Sequence, residues 1–308
     1  RLGHLNERTV RRLFSKANGG TGLGVGMING ILLESTFSFC DGCAHGKAHV
    51  EAISKGPGHI IWIPLGLICT DLCGPFQVKS VTGYRYYISF IDYHTRFAKV
   101  YFLREKSEAF GAFQLFKVAV ENELGLKIIR LRSDRGGEYM SKEFLTFCDE
   151  HGIRRELPPS YTPQQNGIAE RFNRTIVETM RTVLWESGLP MTFWAEAAAY
   201  AVETYNNRPH PAIDFQRPSQ VFYSHSIAGP DNRQSIFLRP FGCKAVVLLP
   251  DHKLQKLDAK AVAGVFVGYE PNSYSYRIIL PGNNKNPYGR VYVTRNVSWD
   301  EGNFPFFK

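Results

Sequence analysis

The 308-residue sequence has no apolar run that approaches the roughly 20 residues needed to cross a bilayer. Its first residue, Arg1, does not open a secretory signal peptide. Only six cysteines are present, and they lack the even spread of a secreted disulfide framework. We therefore expect a soluble protein that is not secreted, does not enter a membrane and works in a reducing compartment.

Acidic residues are also in short supply. The chain carries 28 Asp and Glu against 37 Lys and Arg, which gives a formal net charge of +9 at pH 7. This excess favours a polyanionic partner, although charge alone does not separate a nucleic acid from a membrane surface. With 44% hydrophobic and 21% charged residues the chain is globular, and its length suits two or three domains.

The middle of the chain alternates between strand-like and helix-like patterns. "IIWIPLGLICTDLCGPF" predicts a strand that ends at Asp71, and "RYYISFIDYHTRFAKVYFL" predicts two antiparallel strands with a turn near residues 93–96. The strand "KIIRLRSD" ends at Asp134, the strand "IRREL" follows, and helices are predicted before, between and after these two. Three strands followed by this alternation predict a mixed α/β sheet covered by helices.

The two ends of the chain have different patterns. Residues 4–17 have helical periodicity, and a Gly-rich stretch separates them from "FCDGCAHGKAHVEA", a segment too short for an unaided core. Residues 211–235 contain several prolines and little periodicity, so we expect a linker. Four strand-like runs then predict a small all-β barrel or sandwich: "FGCKAVVLLP", "AVAGVFVGYE", "SYSYRIILP" and "GRVYVTRNVSW".

Three acidic residues are placed where they could meet. Asp71 and Asp134 each end a predicted strand, and the ligand crevice of an open α/β sheet lies at the carboxyl ends of its strands. Glu170 lies in the first turn of a predicted helix, from which it can reach the same rim. Converging carboxylates repel one another, so such a cluster needs divalent cations, and oxygen ligands suit Mg²⁺ or Mn²⁺. Two such ions can activate the attacking oxygen and stabilise the leaving oxygen at a phosphodiester.

Simpler interpretations exist for the acidic residues. Glu170 alone could complement the positive end of its helix and pair with Arg174. Asp92 and Glu138 compete for a place in the cluster. Asp92 is better suited to cap the turn that follows it, and Glu138 is better suited to start the next helix.

The motifs "TDLCGPF", "LRSDRGGEY" and "YTPQQNGIAERFNRT" resemble the integrase of copia-type long-terminal-repeat retrotransposons, which is related to retroviral integrases. The 35 residues between Asp134 and Glu170 match the spacing of that family's acidic triad. "FWAEAA", "NNRP", "FGCKA", "KLDAKAVAGVFVGY" and "SWDE" extend the resemblance over nearly the whole chain. It implies a ribonuclease H-like catalytic core with a five-stranded mixed sheet at residues 58–210 and an SH3-like β-barrel at residues 236–308. It also implies metal-binding catalytic residues: Asp71, Asp134 and Glu170.

Residues 1–52 resemble part of the His/Cys zinc-binding domain of these integrases. In relatives a second histidine lies a few residues before the position of Arg1, so one ligand is missing from this sequence. Structural zinc needs four ligands, so the Zn²⁺ site is incomplete unless His45 or His49 substitutes. The three ligands that the resemblance supplies are His4, Cys40 and Cys43.

The resemblance further implies that the chain binds DNA, both the element ends and the target. The loop at residues 160–167 would close over a DNA end. Guanidinium groups suit phosphate oxygens, although the arginines after Glu170 could instead be solvated charges that pair with Glu170 and Glu178. The basic, Tyr-rich SH3-like domain could contact DNA or could be purely architectural. The residues expected to contact DNA are Asn166, Arg171 and Arg174.

The implied function is a metal-dependent polynucleotidyl transferase that joins the 3′-hydroxyl ends of element DNA to target DNA. Such integrases work as multimers, in virus-like particles in the cytoplasm and then in the nucleus. The Gly-rich amino-terminal segment and the helix "MTFWAEAAAYAVETYNN" are candidate contacts between copies. Two alternatives are an inactive or domesticated DNA-binding remnant and a ribonuclease H. The 35-residue spacing and the flanking domains argue against the ribonuclease H.

Overall fold

The computed structural model describes residues 63–157, 166–227, 238–248, 259–271, 273, 275–282 and 289–306. All of them belong to one compact unit, Ile61–Lys308. The zinc ligands predicted from the sequence (His4, Cys40 and Cys43) lie outside the described residues, as does most of the loop at residues 160–167. None of the described helices combines the length and the apolarity needed to cross a bilayer.

The first part of this unit is a five-stranded mixed sheet. Its strands are β1 (Ile68–Cys73), β2 (Tyr86–Asp92), β3 (Ala98–Leu103), β4 (Arg130–Arg132) and β5 (Arg154–Glu156). They lie in the order β3-β2-β1-β4-β5, with β1 antiparallel to β2 and parallel to β4. Because β1 is central and β4 runs parallel to it, the carboxyl ends of these two strands meet at one edge of the sheet.

Helices cover both faces of this sheet. They are α1 (Ala109–Leu124), α2 (Lys142–Glu150), α3 (Gly167–Ser187) and α4 (Trp194–Asn207). Successive strand residues point to opposite faces. Ile68 packs in one apolar cluster with residues of α1 and α2, whereas Cys69 packs in another with residues of α3 and α4. Asp71, two residues after Cys69, therefore faces α3.

Strand β1 differs from its sequence prediction at both ends. The chain turns at Leu65, whose φ is 60°, before the strand begins at Ile68. The strand continues to Cys73 and stops at Gly74. The φ of Gly74 is +126°, a backbone conformation that residues other than glycine rarely adopt. Asp71 therefore lies within β1, not at its end.

Ordered structure occupies part of the segment that the sequence predicts as a linker. The helix α5 (Pro218–Tyr223) lies there. Phe222 is 1% exposed, and its ring stacks on that of Phe97 with centroids 4.1 Å apart. Ser226 Oγ donates to Glu123 Oε1 on α1 at 2.7 Å. Six helical residues are too few for periodicity to reveal the helix, so the sequence shows only the prolines.

The carboxy-terminal domain, residues 238–306, is a second sheet. Its strands are β6 (Lys244–Leu248), β7 (Ala261–Tyr269), β8 (Tyr276–Ile279), β9 (Val291–Thr294) and β10 (Val297–Asp300), in the order β10-β6-β7-β8-β9. The sequence predicts four strands. The fifth arises because residues 289–299 divide into β9, which pairs with β8, and β10, which pairs with β6.

The helix α4 joins this domain to the first sheet. None of its residues is exposed. Its apolar side chains share one cluster with four residues of the carboxy-terminal domain: Phe241, Val265, Val267 and Ile279. Tyr200 Oη donates to the carbonyl of Arg239 at 3.0 Å. The chain itself thus covers the helix that the sequence suggests as a contact between copies.

An arginine on β8 ties the same domain to α4. Arg277 Nε donates to Glu196 Oε2 at 2.9 Å, and Arg277 Nη2 donates to Glu196 Oε1 at 2.7 Å. Arg277 Nη1 donates to Glu270 Oε2 at 2.7 Å. The bonds to Glu196 raise the pKa of Arg277, so its charge is permanent. A bidentate pair of this kind is stronger than a neutral hydrogen bond.

We expect Glu196→Ala to lower the free energy of unfolding by about 2 to 3 kcal/mol, because it leaves the half-buried guanidinium of Arg277 with a single carboxylate. Glu270→Ala keeps the bidentate pair and should cost less than about 1 kcal/mol. Urea unfolding, followed by tryptophan fluorescence, measures both values. Equal losses in the two variants would contradict this role of Glu196.

Candidate active site

Two carboxylates lie on or after neighbouring parallel strands: Asp71 is within β1, and Asp134 lies two residues after β4, which ends at Arg132 and not at Asp134 as the sequence predicts. The parallel register pairs Ile68 with Leu131 and Cys69 with Arg132. The same offset, continued two residues beyond the end of β4, matches the position of Asp71 with that of Asp134. Neighbouring strands are about 4.8 Å apart, so this register directs the two acids to the same edge of the sheet, where the charge of Asp134 contributes to the raised pKa of Asp71.

The turn after β4 is fixed against β1. Asp134 Oδ1 accepts a hydrogen bond from the N–H of Gly136 at 3.0 Å, which reverses the chain in an Asx turn. A few residues on, the Tyr139 hydroxyl lies 3.2 Å from Thr70 Oγ1, and both side chains are fully buried. The motif "DRGGEY" therefore sets the position of Asp134 relative to the residue before Asp71.

Glu170 reaches this rim on a helix that two asparagines hold against β1. Asn166 Nδ2, at the start of α3, donates to the carbonyl of Thr70 at 3.0 Å. Asn173 Nδ2, one turn after Glu170, donates to Asp71 Oδ2 at 3.0 Å. Glu170 lies between these two contacts and is exposed. The first two turns of α3 are thus docked directly on the strand that carries Asp71.

The pKa of Asp71 is affected by the two other acids, Asp134 and Glu170. The pKa of Asp71 is raised from 3.8 to about 6, mainly by burial and in smaller part by the negative charges of Asp134 and Glu170. The hydrogen bonds from Asn173 and from the N–H of Leu72 oppose this rise. At neutral pH the carboxylate is therefore ionised but carries unrelieved repulsion from its neighbours.

The three carboxylates approach one another but do not form a closed metal site. Among the described residues, no group of three or more His, Cys, Asp or Glu side chains is arranged to hold a metal ion. The donor set itself fits Mg²⁺ or Mn²⁺, since all three groups offer carboxylate oxygens. Each oxygen of Asp71 accepts one hydrogen bond and keeps a lone pair for a cation. A divalent ion would also relieve the repulsion that raises the pKa of Asp71.

The competing acids have structural roles. Asp92 is 2% exposed and accepts hydrogen bonds from the N–H of Leu65 at 3.1 Å and from the N–H and hydroxyl of Thr95 at 2.9 and 2.6 Å. It caps the turn between β2 and β3, as predicted. Glu138 lies in a short 3₁₀ helix, Gly137–Tyr139, whereas the N-cap of α2 is Ser141. Glu138 therefore lies in the first turn of this short 3₁₀ helix, as predicted, but it does not start α2.

The three residues expected to contact DNA differ in their surroundings. Asn166 is 3% exposed, and its amide is engaged with Thr70, so the structure gives it a part in holding α3 in place. Arg171 and Arg174 are exposed. Neither guanidinium makes an ion pair with a described carboxylate, so the alternative pairing with Glu170 or Glu178 is not formed.

Asn173 is a residue of the site that was not predicted from the sequence. It is 7% exposed and makes the one side-chain hydrogen bond to the carboxylate of Asp71 found among the described residues. Its signal in the sequence is its position three residues after Glu170, which places the two side chains on one side of the helix. That position did not predict that the Asn173 amide would donate a hydrogen bond to a residue of β1.

Comparison with known families defines the class of protein. Residues 63–163 match the integrase core domain, and residues 243–308 match the retroviral polymerase SH3-like domain. The chain therefore carries an integrase core of ribonuclease H-like fold followed by an SH3-like domain, and the fold predicted for these two parts is confirmed.

The relatives of the chain narrow this class. The chain is 36% identical over 295 residues, 96% of its length, to the retrovirus-related Pol polyprotein from transposon TNT 1-94 of Nicotiana tabacum. It is 34% identical over 267 residues, 87% of its length, to that from transposon RE2 of Arabidopsis thaliana. These are copia-type Pol polyproteins from plant transposons, which confirms the resemblance predicted from the sequence. The chain spans about a fifth of these relatives, 21% and 17% of their lengths.

Solved structures show more distant similarity. A chain of the simian T-cell lymphotropic virus intasome in complex with PP2A regulatory subunit B56 gamma is 15% identical. The match covers 77% of this chain and 79% of that chain, with a TM-score of 0.44. The HTLV-2 integrase catalytic core domain in complex with magnesium is 21% identical over 47% of this chain and 88% of that chain, with a TM-score of 0.35.

Proposed function

We propose that the chain is the integrase portion of a copia-type retrotransposon polyprotein and acts as a metal-dependent polynucleotidyl transferase. It joins the 3′-hydroxyl ends of element DNA to target DNA by in-line phosphoryl transfer. The observation that carries this proposal is the position of Asp71 in β1 and of Asp134 just after the parallel strand β4, with Glu170 on a helix that two asparagines hold against β1.

The three carboxylates of Asp71, Asp134 and Glu170 are the groups that would hold two Mg²⁺ or Mn²⁺ ions. When bound, such ions activate the attacking oxygen and stabilise the leaving oxygen. The support is the oxygen-only donor set and the repulsion felt by Asp71. A zinc site with the ligands His4, Cys40 and Cys43 stays a prediction.

The other residues of the site orient the acids and the DNA. Asn173 fixes the Asp71 carboxylate, because its amide occupies one oxygen at 3.0 Å. Asn166 fixes the start of α3 and hence the position of Glu170. Arg171 and Arg174, exposed in the first two turns of the same helix, bind phosphates of the DNA that enters the site.

We expect Asn173→Leu to raise the Mg²⁺ concentration needed for half-maximal joining by about 10- to 100-fold, because ligands that lose an orienting hydrogen bond bind metal less well. Joining should recover in large part at saturating Mg²⁺. The measurement is a titration of joining against Mg²⁺. Asn207→Leu, a like change at the far end of α4, is the control. An unchanged Mg²⁺ requirement for Asn173→Leu would contradict the orienting role.

A strand-joining assay tests the proposed function. It uses duplex oligonucleotides with a recessed 3′ end, a labelled target and Mg²⁺ or Mn²⁺. Joined product from the wild type and none from Asp134→Asn supports catalysis. Equal DNA binding with no product from either protein supports the DNA-binding remnant instead.

We further propose that the active form is a homo-oligomer on DNA, found in cytoplasmic particles and in the nucleus.

A further inference from the structure

Two arginines and a histidine lie together at the edge of the first sheet opposite the candidate active site. The turn between β2 and β3 is at this edge, because β2 runs antiparallel to β1 and ends beside the start of β1. Asn206, near the end of α4, accepts a hydrogen bond from the N–H of Ala98 at 3.0 Å and donates one to the carbonyl of Ala98 at 2.8 Å. Arg96 lies two residues before Ala98, and Arg208 lies two residues after Asn206. These hydrogen bonds therefore hold the two arginines on neighbouring segments.

The histidine of this group is His210, and its electrostatics show that both arginines are near it. The pKa of His210 is lowered from 6.5, mainly by burial and in smaller part by the charges of Arg96 and Arg208. The same two charges act on the hydroxyl of Tyr205. The ring of Tyr205 lies 5.2 Å from the guanidinium of Arg208, and its centroid is 5.7 Å from that of His210.

The two arginines have no carboxylate as a partner within the described part of the chain. Neither Arg96 nor Arg208 forms an ion pair there, and Arg96 Nε is buried without a hydrogen-bond acceptor. Asp92, at the start of the same turn, uses both carboxylate oxygens for Leu65 and Thr95. Like charges that are brought together repel one another. The cluster would therefore be stabilised by an anion.

The donors of the cluster are held in place. The guanidinium of Arg96 lies 4.7 Å from the centroid of the Tyr93 ring, which restrains its plane. Arg96 has a φ of 62°, a left-handed conformation in which glycine is the favoured residue. His210 Nδ1 accepts a hydrogen bond from the N–H of Ala212 at 3.2 Å, so the proton of the neutral ring is on Nε2. His210 Nε2 is therefore a donor.

We propose that Arg96, Arg208 and His210 form a site for a dianionic phosphate, either free inorganic phosphate or the phosphate monoester of a phosphorylated side chain. The planar fork of arginine suits phosphate oxygens, and His210 Nε2 supplies a further hydrogen bond. Two guanidinium charges match the two charges of a phosphate monoester, whereas a phosphodiester of DNA carries only one. The inference goes beyond the proposed function and does not depend on it, because the two sites lie at opposite edges of the sheet.

The test is a calorimetric titration of the full chain with inorganic phosphate at about pH 7.5, where the dianion dominates, in chloride buffers of matched ionic strength. The wild type should bind with a dissociation constant on the order of 1 mM, as expected of so small a ligand. Arg208→Ala and Arg96→Gly should each weaken binding by about 10-fold or more, because each removes charge-assisted hydrogen bonds. Glycine suits the φ of 62° at residue 96, so the turn is kept.

The matched control is Arg104→Ala. Arg104 is exposed, follows the other end of β3 and lies 5.9 Å from the centroid of the Tyr84 ring. This variant loses the same charge and a similar ring contact, and it should bind phosphate as the wild type does. Arg208 follows the carboxyl end of α4, where a cation is favourable by itself, so thermal melting in chloride checks that every variant is folded.

Two further ligands test the choice of anion. Dimethyl phosphate, a monoanionic diester, should bind about 10-fold more weakly than inorganic phosphate, because it has one charge fewer. Equal affinity for the two would overturn the dianion site and is the result expected of a site for the DNA backbone. A phosphoserine peptide that binds at least about 10-fold more tightly than phosphate would support the site and identify a phosphorylated side chain as its ligand. Equal affinity of peptide and phosphate would support free phosphate.

Two results would overturn the site itself. One is a wild type that binds no phosphate, and the other is an affinity in Arg96→Gly and Arg208→Ala that equals that of Arg104→Ala. Neither result changes the outcome of the strand-joining assay. Phosphate binding with the predicted losses, in a chain that joins no DNA, would leave this site in place while the catalytic proposal fails.

Discussion

Asp134→Asn should reduce strand joining by at least about 10³-fold while DNA affinity stays within about 2-fold of the wild type. The substitution keeps the shape of the side chain and its acceptor for the N–H of Gly136, so the Asx turn survives. It removes one of the negative charges that Asp71 experiences, and with it a ligand for a divalent ion. A loss confined to the chemical step is the expected signature of a ligand to catalytic metal.

The matched control for this variant is Asp149→Asn. Asp149 is exposed near the end of α2, away from the rim where β1 and β4 end. The two variants have the same change in charge and in volume, so nonspecific electrostatic effects are equal. Joining by Asp149→Asn should match the wild type. Substantial joining by Asp134→Asn would remove the basis for the catalytic assignment.

Gly242→Ala should lower the free energy of unfolding by about 3 kcal/mol. The φ of Gly242 is +86°, where an L side chain is strained, and a Cβ there would lie 2.1 Å from Ser187 Cβ. Ser187 is fully buried at the end of α3. The cost of the strained backbone and the cost of the steric clash with Ser187 therefore add up in the loss of stability.

The backbone term can be measured alone at Gly152. Its φ is +67°, but no atom lies within 4 Å of the Cβ position. Gly152→Ala should therefore cost only about 1 kcal/mol. Urea unfolding of both variants gives the packing term as their difference. If the two losses were the same, α3 and the SH3-like domain would not be in tight contact.

Long periodic elements and tight turns could be predicted from the sequence. The helices α1, α3 and α4 and the β2–β3 hairpin lie where the patterns place them, because each carries a strong local signal. Shorter elements could not be found. The helix α5 has six residues, and the division of the last strand-like run into β9 and β10 depends on partners distant in sequence.

The approach of the acids could be predicted in outline only. The strand predicted to end at Asp134 ends at Arg132, but a position just after a strand parallel to β1 was enough to direct Asp134 to the same edge as Asp71. The contacts that position Glu170 could not be predicted, since an asparagine in a sequence does not reveal its partner. The burial of α4 did have a signal: "AEAAAYAV" contains a single charge, and a helix that is apolar on all sides is buried on all sides.

The covering of α4 changes how deletions of this chain are to be interpreted. Removal of residues 238–306 strips Phe241, Val265 and Ile279 from a cluster that also contains Trp194. In such a fragment the apolar side chains of α4 would be exposed to solvent. We expect the fragment to aggregate through this surface before any loss of DNA affinity could be measured. The SH3-like domain is therefore a folding partner of the integrase core, and any contribution of this domain to the proposed DNA binding is accessible only through surface substitutions in the intact chain.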